Sequence, residues 1–302
     1  MSTTGRDLTR RLRLLLALGA AATLVLFGAY RGVHDDTVPL ASSSAPGILA
    51  VDTATNALRN ANKVVSGGVA NDTTGEFHTQ ISVAHQNLAL AASENVTGFK
   101  DRHTLRTVTG LIAVYSGFVE RSGKEPDNRL LSTVYLHYAN QVLVGDIMSR
   151  LEDLRAEQVK EAKRQASFPW QLRLGWSAVL VLYAALCAAL VEAQWFARRR
   201  FRHSVHPPLL AATVLCVAGV AVLGWLTLEA RTAMTRALAE LLEPKGAKTI
   251  PLVAGRVEEN MANAGLWASL SNWVLIEGAL LMALMVAGLW PRIAEYRFRA
   301  AR

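Results

Sequence analysis

Only two cysteines occur in a chain of 302 residues, and both, Cys187 and Cys216, fall inside long apolar blocks. The segments between the blocks have none, so no disulfide framework holds them and their stability must come from packing. Several chemistry-bearing motifs are also missing. There is no G-x-x-x-x-G-K-[ST] phosphate loop, no G-x-S-x-G nucleophile elbow, no H-E-x-x-H zinc helix and no C-x-x-C pair. Basic residues are absent from the central part of every apolar block, which leaves any acidic side chain there without a cationic neighbour from the same layer.

What is present is a positive mean hydropathy of +0.22 combined with a net charge of +8. Segregation reconciles the two. Apolar residues gather in four blocks, Leu14 to Tyr30, Leu174 to Phe196, Leu209 to Leu228, and Leu266 or Trp273 to Trp290. A bilayer core about 30 Å thick needs roughly 20 apolar residues in a helix, and all four blocks fit. In hydrocarbon each backbone amide must bond within its own segment, so the blocks are expected to be helical whatever their Val content. Trp176, Trp195, Trp225, Trp267, Trp273 and Trp290 lie at or near block ends, where interfacial aromatic belts sit.

Arginine marks one side of the blocks. Arg6, Arg10, Arg11 and Arg13 precede the first; Arg198, Arg199, Arg200 and Arg202 follow the second; Arg292, Arg297, Arg299 and Arg302 follow the fourth. The positive-inside rule puts these flanks in the cytoplasm. The expected layout is then a cytoplasmic N-terminus (1–13), a first span (14–30), an outer segment (31–172), a second span (173–197), a basic cytoplasmic loop (198–208), a third span (209–228), a shorter outer segment (229–265), a fourth span (266–290) and a cytoplasmic tail (291–302). Acidic and basic residues nearly cancel in both outer segments, so the excess charge is an inner-face signature and not a nucleic-acid footprint. The first block reads as an uncleaved anchor, since no A-x-A site ends it and 17 residues is long for a signal h-region; a cleavable signal peptide is the alternative. The cytoplasmic pieces are too short to bury a core, so any output needs a separate cytoplasmic protein.

The larger outer segment carries apolar residues at helical spacing. Val51, Leu58 and Val65 recur with Ala54 and Ala61 between them; Phe77, Ile81, Ala84, Leu88 and Ala91 follow, then Leu105, Val108, Ile112, Tyr115 and Val119, then Leu136, Ala139, Leu143, Ile147, Leu151 and Leu154. Four such stripes predict a four-helix bundle. Glycine-rich punctuation at 66–68, 94–98 and 123–127 separates the helices, and the fourth is expected from about Asn128 to Ala166, nearly 60 Å at ~1.5 Å per residue. Gly117 is expected to allow close helix approach. The shorter segment reads as a helical hairpin: the third span continues through Met234, Leu238 and Leu241, turns at Pro244-Lys245-Gly246 and returns through Val253, Val257 and Met261. Such a hairpin is too small for its own core and should lean on the bundle. The fold class is all-α: four transmembrane helices, an extracytoplasmic four-helix bundle and a short helical hairpin.

No cofactor or metal is implied. His78, His85, His103 and His137 lack the i, i+3 or i+4 pairing of helical metal sites. Glu277 stands inside the fourth block, where a carboxylate should face the bundle, stay protonated or reach water. Glu192 is expected to pair with Arg198 or Arg199. Ala185, Ala189 and Ala193, four apart, permit close helix packing and a homo-oligomer.

The pattern Y-S-G-F-V-E-R at Tyr115 to Arg121, followed after a charged turn by V-Y-L-H-Y-A-N at Val134 to Asn140, resembles the GlnX-type membrane transducers of actinobacteria. The order of anchor, outer helical bundle, span and short-looped pair of spans is similar too. The resemblance implies an outer helical sensor that receives a solute-loaded binding protein and passes its state to a cytoplasmic Ser/Thr kinase. The reading reached is a membrane sensor that binds and does not catalyse; a transport component or assembly scaffold using Glu277 is the alternative. Glu120, Arg121, Lys124, Glu125 and Arg129 surround the turn and are the candidate docking residues. Charge reversal at Arg121 and Lys124 should weaken retention of an outer partner in a crosslinking assay, and unchanged retention would remove the turn from consideration.

Overall fold

The computed structural model describes residues 3–67, 73–94, 96–124, 128–167, 170–201, 207–243 and 249–299. It is about 95% helical, with no strand among the described residues and four helices long and apolar enough to cross a membrane. The elements are α1 (Thr3–His34), α2 (Thr37–Pro39), a π-helical turn (Leu40–Ser44), α3 (Ala45–Ser66), α4 (Thr73–Glu94), α5 (Phe99–Lys124), α6 (Arg129–Gln141), a π-helical stretch (Val142–Met148), α7 (Ser149–Ala166), α8 (Trp170–Phe201), α9 (Pro207–Leu242), α10 (Ile250–Met261), α11 (Ala264–Ser269) and α12 (Ser271–Arg299). The chain divides into two compact units, the first comprising 1–36, 168–232 and 263–302, the second 37–167 and 233–262.

In the first unit, α1 packs against both α8 and α12. Leu15, Leu26, Val179, Leu186, Leu190, Leu281 and Met285 fill its interior, yet Leu24, Val181, Val217 and Trp225 on the outer faces are more than half exposed. A helix that is apolar all round is one whose surroundings are also apolar, as in a bilayer. The tryptophans divide. Trp195, Trp225, Trp273 and Trp290 point outward as an aromatic belt requires. Trp267 instead is buried on the short helix α11, and its carbonyl accepts a hydrogen bond from the Tyr30 hydroxyl at 2.9 Å. That bond ties the end of α1 to the chain just before α12. Because α11 stops at Ser269, the fourth membrane-length helix begins at Ser271 and not at Leu266.

In the second unit, α3, α4, α5 and the run from α6 through α7 form the bundle, and every stripe read from the sequence faces its core. Leu58, Ala84, Leu88, Val108, Ile112, Leu143 and Ile147 are buried there, while Val65, Val119 and Leu136 sit at the edges. The most extensive pairing is α3 with α4. Ala50, Ala54, Ala57 and Ala61 of α3 and Ala84 and Ala91 of α4 are all buried in this core, small side chains that let the two backbones come close. Tyr115 is fully buried, its ring tilted against Phe77 at 5.9 Å, and its hydroxyl has no hydrogen-bond partner among the described residues. Burial pushes its phenol well above the ordinary tyrosine range. The side chain is core, as its place on the stripe implies.

The fourth bundle helix is continuous in helical character but not in type. Asn128 caps its start, with Oδ1 accepting from the Leu131 amide at 3.1 Å. It then widens to a π-helix over Val142–Met148. The reason lies in the stripe: Ala139, Leu143, Ile147 and Leu151 are spaced by three successive fours. At about 3.6 residues per turn each step of four overshoots a full turn by about 40°, so an α-helix would swing Leu151 off the core. Wider winding keeps all four buried. Ser167 leaves the helix with ψ 148°.

Within the bundle a close approach falls at Gly47, and Gly117 does not provide one. A Cβ on Gly117 would meet nothing within 4 Å, whereas one on Gly47 would lie 2.7 Å from the Val96 methyl. The close approach is therefore between the start of α3 and the α4–α5 connection, where Gly98 takes φ +81°. Gly117→Ala should raise thermal stability by about 0.5–1 kcal/mol through the helix-interior term. Gly47→Ala should lower it in the same melting experiment.

Candidate ligand groove and relay residues

The second unit contains a groove of about 490 Å³. The first three turns of α3 supply Ala45, Pro46, Leu49, Ala50 and Thr53; α4 supplies Asn87 and Leu90; α10 supplies Ile250, Ala254, Val257, Glu258 and Met261. Its walls are mainly aliphatic, with three polar side chains converging on it, the composition of a small-molecule site. Two of those three are already oriented. The Thr53 hydroxyl donates to the Leu49 carbonyl at 2.7 Å and the Asn87 amide nitrogen donates to the Val83 carbonyl at 2.9 Å, which turns the Asn87 side-chain oxygen away from its own helix backbone. Among the described residues, Glu258 is the only charged one lining the groove.

The hairpin forms the far wall, and specific bonds hold it there. Val253, Val257 and Met261 of α10 are buried against the bundle, with α10 lying on α3 and the π-turn before it. Arg256 pairs with Glu240 at 3.2 Å, joining the two arms of the hairpin. Arg155 on α7 is the fastening point. Its Nε donates to Asp52 Oδ1 at 2.6 Å and its Nη2 to Asp52 Oδ2 at 3.2 Å, a two-pronged pair. The same Nη2 donates to the Leu241 carbonyl at 3.1 Å. Leu241 lies in the last turn of α9, where unpaired carbonyls and the negative end of the helix dipole favour a cation. Asp52 is 8% exposed, so this guanidinium neutralises a carboxylate sunk into α3 while capping the hairpin.

A second depression of about 430 Å³ lies between α5 and α7, lined by Asp101, Thr104, Arg150, Asp153, Glu157 and Lys160. Its deepest carboxylate serves the fold. Asp101 accepts from the Thr97 amide at 3.1 Å, from the Thr97 hydroxyl and from Gln158 Nε2 at 3.4 Å, pinning the α4–α5 connection. Farther along α7, the Arg164 guanidinium holds the Glu161 carboxyl below the ordinary carboxylate range. Among the described residues no group of three or more side chains could hold a metal.

The residues singled out in the sequence scatter over both units. Glu120, Arg121, Lys124 and Arg129 are exposed around the α5–α6 connection, with Ser116 Oγ donating to Glu120 at 3.4 Å; Glu125 lies outside the described residues. In the first unit, Glu192 pairs with Arg11 of α1 at 3.2 Å and not with Arg198 or Arg199. Arg199 stacks on Trp195 one turn earlier, its guanidinium 3.6 Å from the ring centroid, and Arg11 stacks on Phe196 at 4.2 Å. Arg198 is exposed near the end of α8; Arg202 and the Arg200 side chain lie outside the described residues. Of the alanine stripe, Ala189 and Ala193 pack within the unit and only Ala185 faces out. Glu277, the seventh residue of α12, lies across Gly219 of α9: a Cβ there would fall 1.6 Å from its Oε1. The carboxylate thus faces α9 inside the first unit, and its Oε1 is buried with no hydrogen-bond partner among the described residues.

Residues 36–167 match the family model described as the actinobacterial sensor domain. The matched stretch coincides with α2 to α7 and leaves the hairpin outside it. Comparisons with curated proteins and with solved structures returned no match. The chain is a multi-pass membrane protein with a sensor-type domain similar to that of actinobacterial proteins. The groove could not have been read from the stripes, because its two walls are more than 150 positions apart in sequence. Arg155 was missed for a related reason: within the charged run of α7 nothing distinguishes it from solvated neighbours. Truncation to Ala leaves Asp52 buried without its cation, which should cost about 1–3 kcal/mol. In a melt of the whole protein Arg155→Ala should lose at least as much as Asp52→Asn, which retains a hydrogen-bonding oxygen.

Proposed function

We propose that this protein is an integral membrane sensor whose extracytoplasmic bundle binds an apolar or amphipathic small molecule, or a partner presenting one, and relays occupancy to a cytoplasmic partner. The observation that carries the reading is the sensor-domain match over 36–167 together with a groove whose second wall, α10, lies outside that match. A ligand seated there touches the sensor and the hairpin at once. The hairpin's first arm is the C-terminal end of α9, the same helix that supplies a membrane-length apolar stretch. A ligand that prefers one spacing of α3 and α10 biases that helix by its differential affinity for the two arrangements. The protein binds and does not catalyse on this reading, and needs no cofactor.

The basic loop after α8 and the arginine-flanked termini are the cytoplasmic side, and a kinase docked there is the kind of output partner the GlnX-type resemblance implies. A solute-binding protein at Glu120, Arg121, Lys124 and Arg129 is the corresponding outer partner. The competing reading is transport through the Glu277 layer, supported by a buried carboxylate oxygen without a partner among the described residues.

Filling the groove separates them. Ala254→Trp in the full-length protein should alter photo-crosslinking of a cytoplasmic protein to a probe at position 199 at least threefold relative to the parent. Glu277→Gln should leave proton flux into reconstituted vesicles unchanged. Identical crosslinking with the groove filled, together with a flux lost on Glu277→Gln, would replace the sensor by a transporter.

A further inference from the structure

The two cysteines, 29 positions apart, meet. Cys187 of α8 and Cys216 of α9 place their sulfurs 3.4 Å apart, both as free thiols. The encounter is set by the register of the two helices. Gln194 Nε2 of α8 donates to the Leu209 carbonyl at 3.0 Å and to Thr213 Oγ1 at 2.8 Å, anchoring the antiparallel pair near its connecting loop. Stepping seven residues back along α8 from Gln194 and seven forward along α9 from Leu209 arrives at Cys187 and Cys216. Two full turns return each helix to nearly the same face, so the amide anchor and the thiol pair share one seam. Closing the gap to a bond of about 2.05 Å requires a shift of about 1.4 Å, within reach of side-chain movement.

The surroundings narrow the chemistry. Both thiols belong to apolar stretches of membrane length, and no other cysteine exists in the chain to exchange with them. Cys216 is buried, and Cys187 is partly exposed on a face whose neighbours Val181, Ala184, Ala188 and Val191 are exposed and apolar. An oxidant reaching Cys187 must approach through hydrocarbon, as an aqueous disulfide or glutathione cannot.

We propose that Cys187 and Cys216 are a reversible intramembrane dithiol–disulfide site whose oxidant is a lipid-soluble quinone. The two S–H bonds break and one S–S bond forms; two electrons and two protons pass to the quinone, which leaves as the quinol. The bond staples α8 to α9. Since α9 runs on to Leu242, the staple gives the membrane's redox state a handle on the same helix that carries the hairpin. The site itself stands whether or not the sensor reading above is right, because its readout is the thiols.

The test uses the full-length protein in lipid nanodiscs treated with a decyl-substituted benzoquinone or with water-soluble diamide, followed by denaturation, alkylation and intact-mass measurement. The expected result is that the quinone protects both cysteines in the same polypeptide, lowers the mass by two hydrogens and does so at least tenfold faster than diamide; dithiothreitol in denaturant restores both thiols. Cys187→Ser and Cys216→Ser should each abolish the protection without shifting the melting temperature. Two alkylatable thiols after quinone treatment, disulfides only between different polypeptides, a quinone adduct in place of the two-hydrogen loss, or closure by diamide as fast as by quinone would each overturn the proposal.

Discussion

A peptide group in hydrocarbon has no solvent to bond with, and the architecture follows from that constraint. The four apolar blocks must be helices, and a helix leaving the bilayer need not stop there. In α9 it does not: the same element carries the apolar block from Leu209 and ends as the first arm of the hairpin at Leu242. Nearly every other connection is either a few residues or a π-helical turn, so the described residues are almost wholly helical.

Inside the sensor unit the constraint is different. Without disulfides, the bundle is held by apolar stripes and by the alanine seam between α3 and α4, where small side chains leave little slack. The buried pair of Asp52 and Arg155 adds a directional element. It costs desolvation that aliphatic packing would not, and in return fixes α3, α7 and the end of α9 at one point.

The sequence revealed most of the bundle because helical packing is periodic. Residues from Val51 to Leu154 could be assigned to a core by spacing alone, and burial follows the stripes. The hairpin arms were legible for the same reason at Leu241, Val253 and Val257. What spacing could not convey is which distant segments meet. The groove joins α3 and α4 to α10, Glu192 turns to Arg11 in another helix, and Gly219 makes room for Glu277; each depends on tertiary contact. Gly117 was misleading because a glycine has no signature that separates a close approach from an open surface.

The π-helical stretch at Val142–Met148 has a consequence for how this domain can vary. A π segment is an α-helix that has absorbed an additional residue without losing its place on the core. The fourth bundle helix therefore has a length tolerance the other three lack: a one-residue deletion there can be taken up by reverting to tighter winding, with Leu151 and Leu154 still facing inward. The same deletion in α3 would rotate half of the alanine seam out of the bundle. Chain length can thus be adjusted on one edge of the bundle and is held to an exact count on the other.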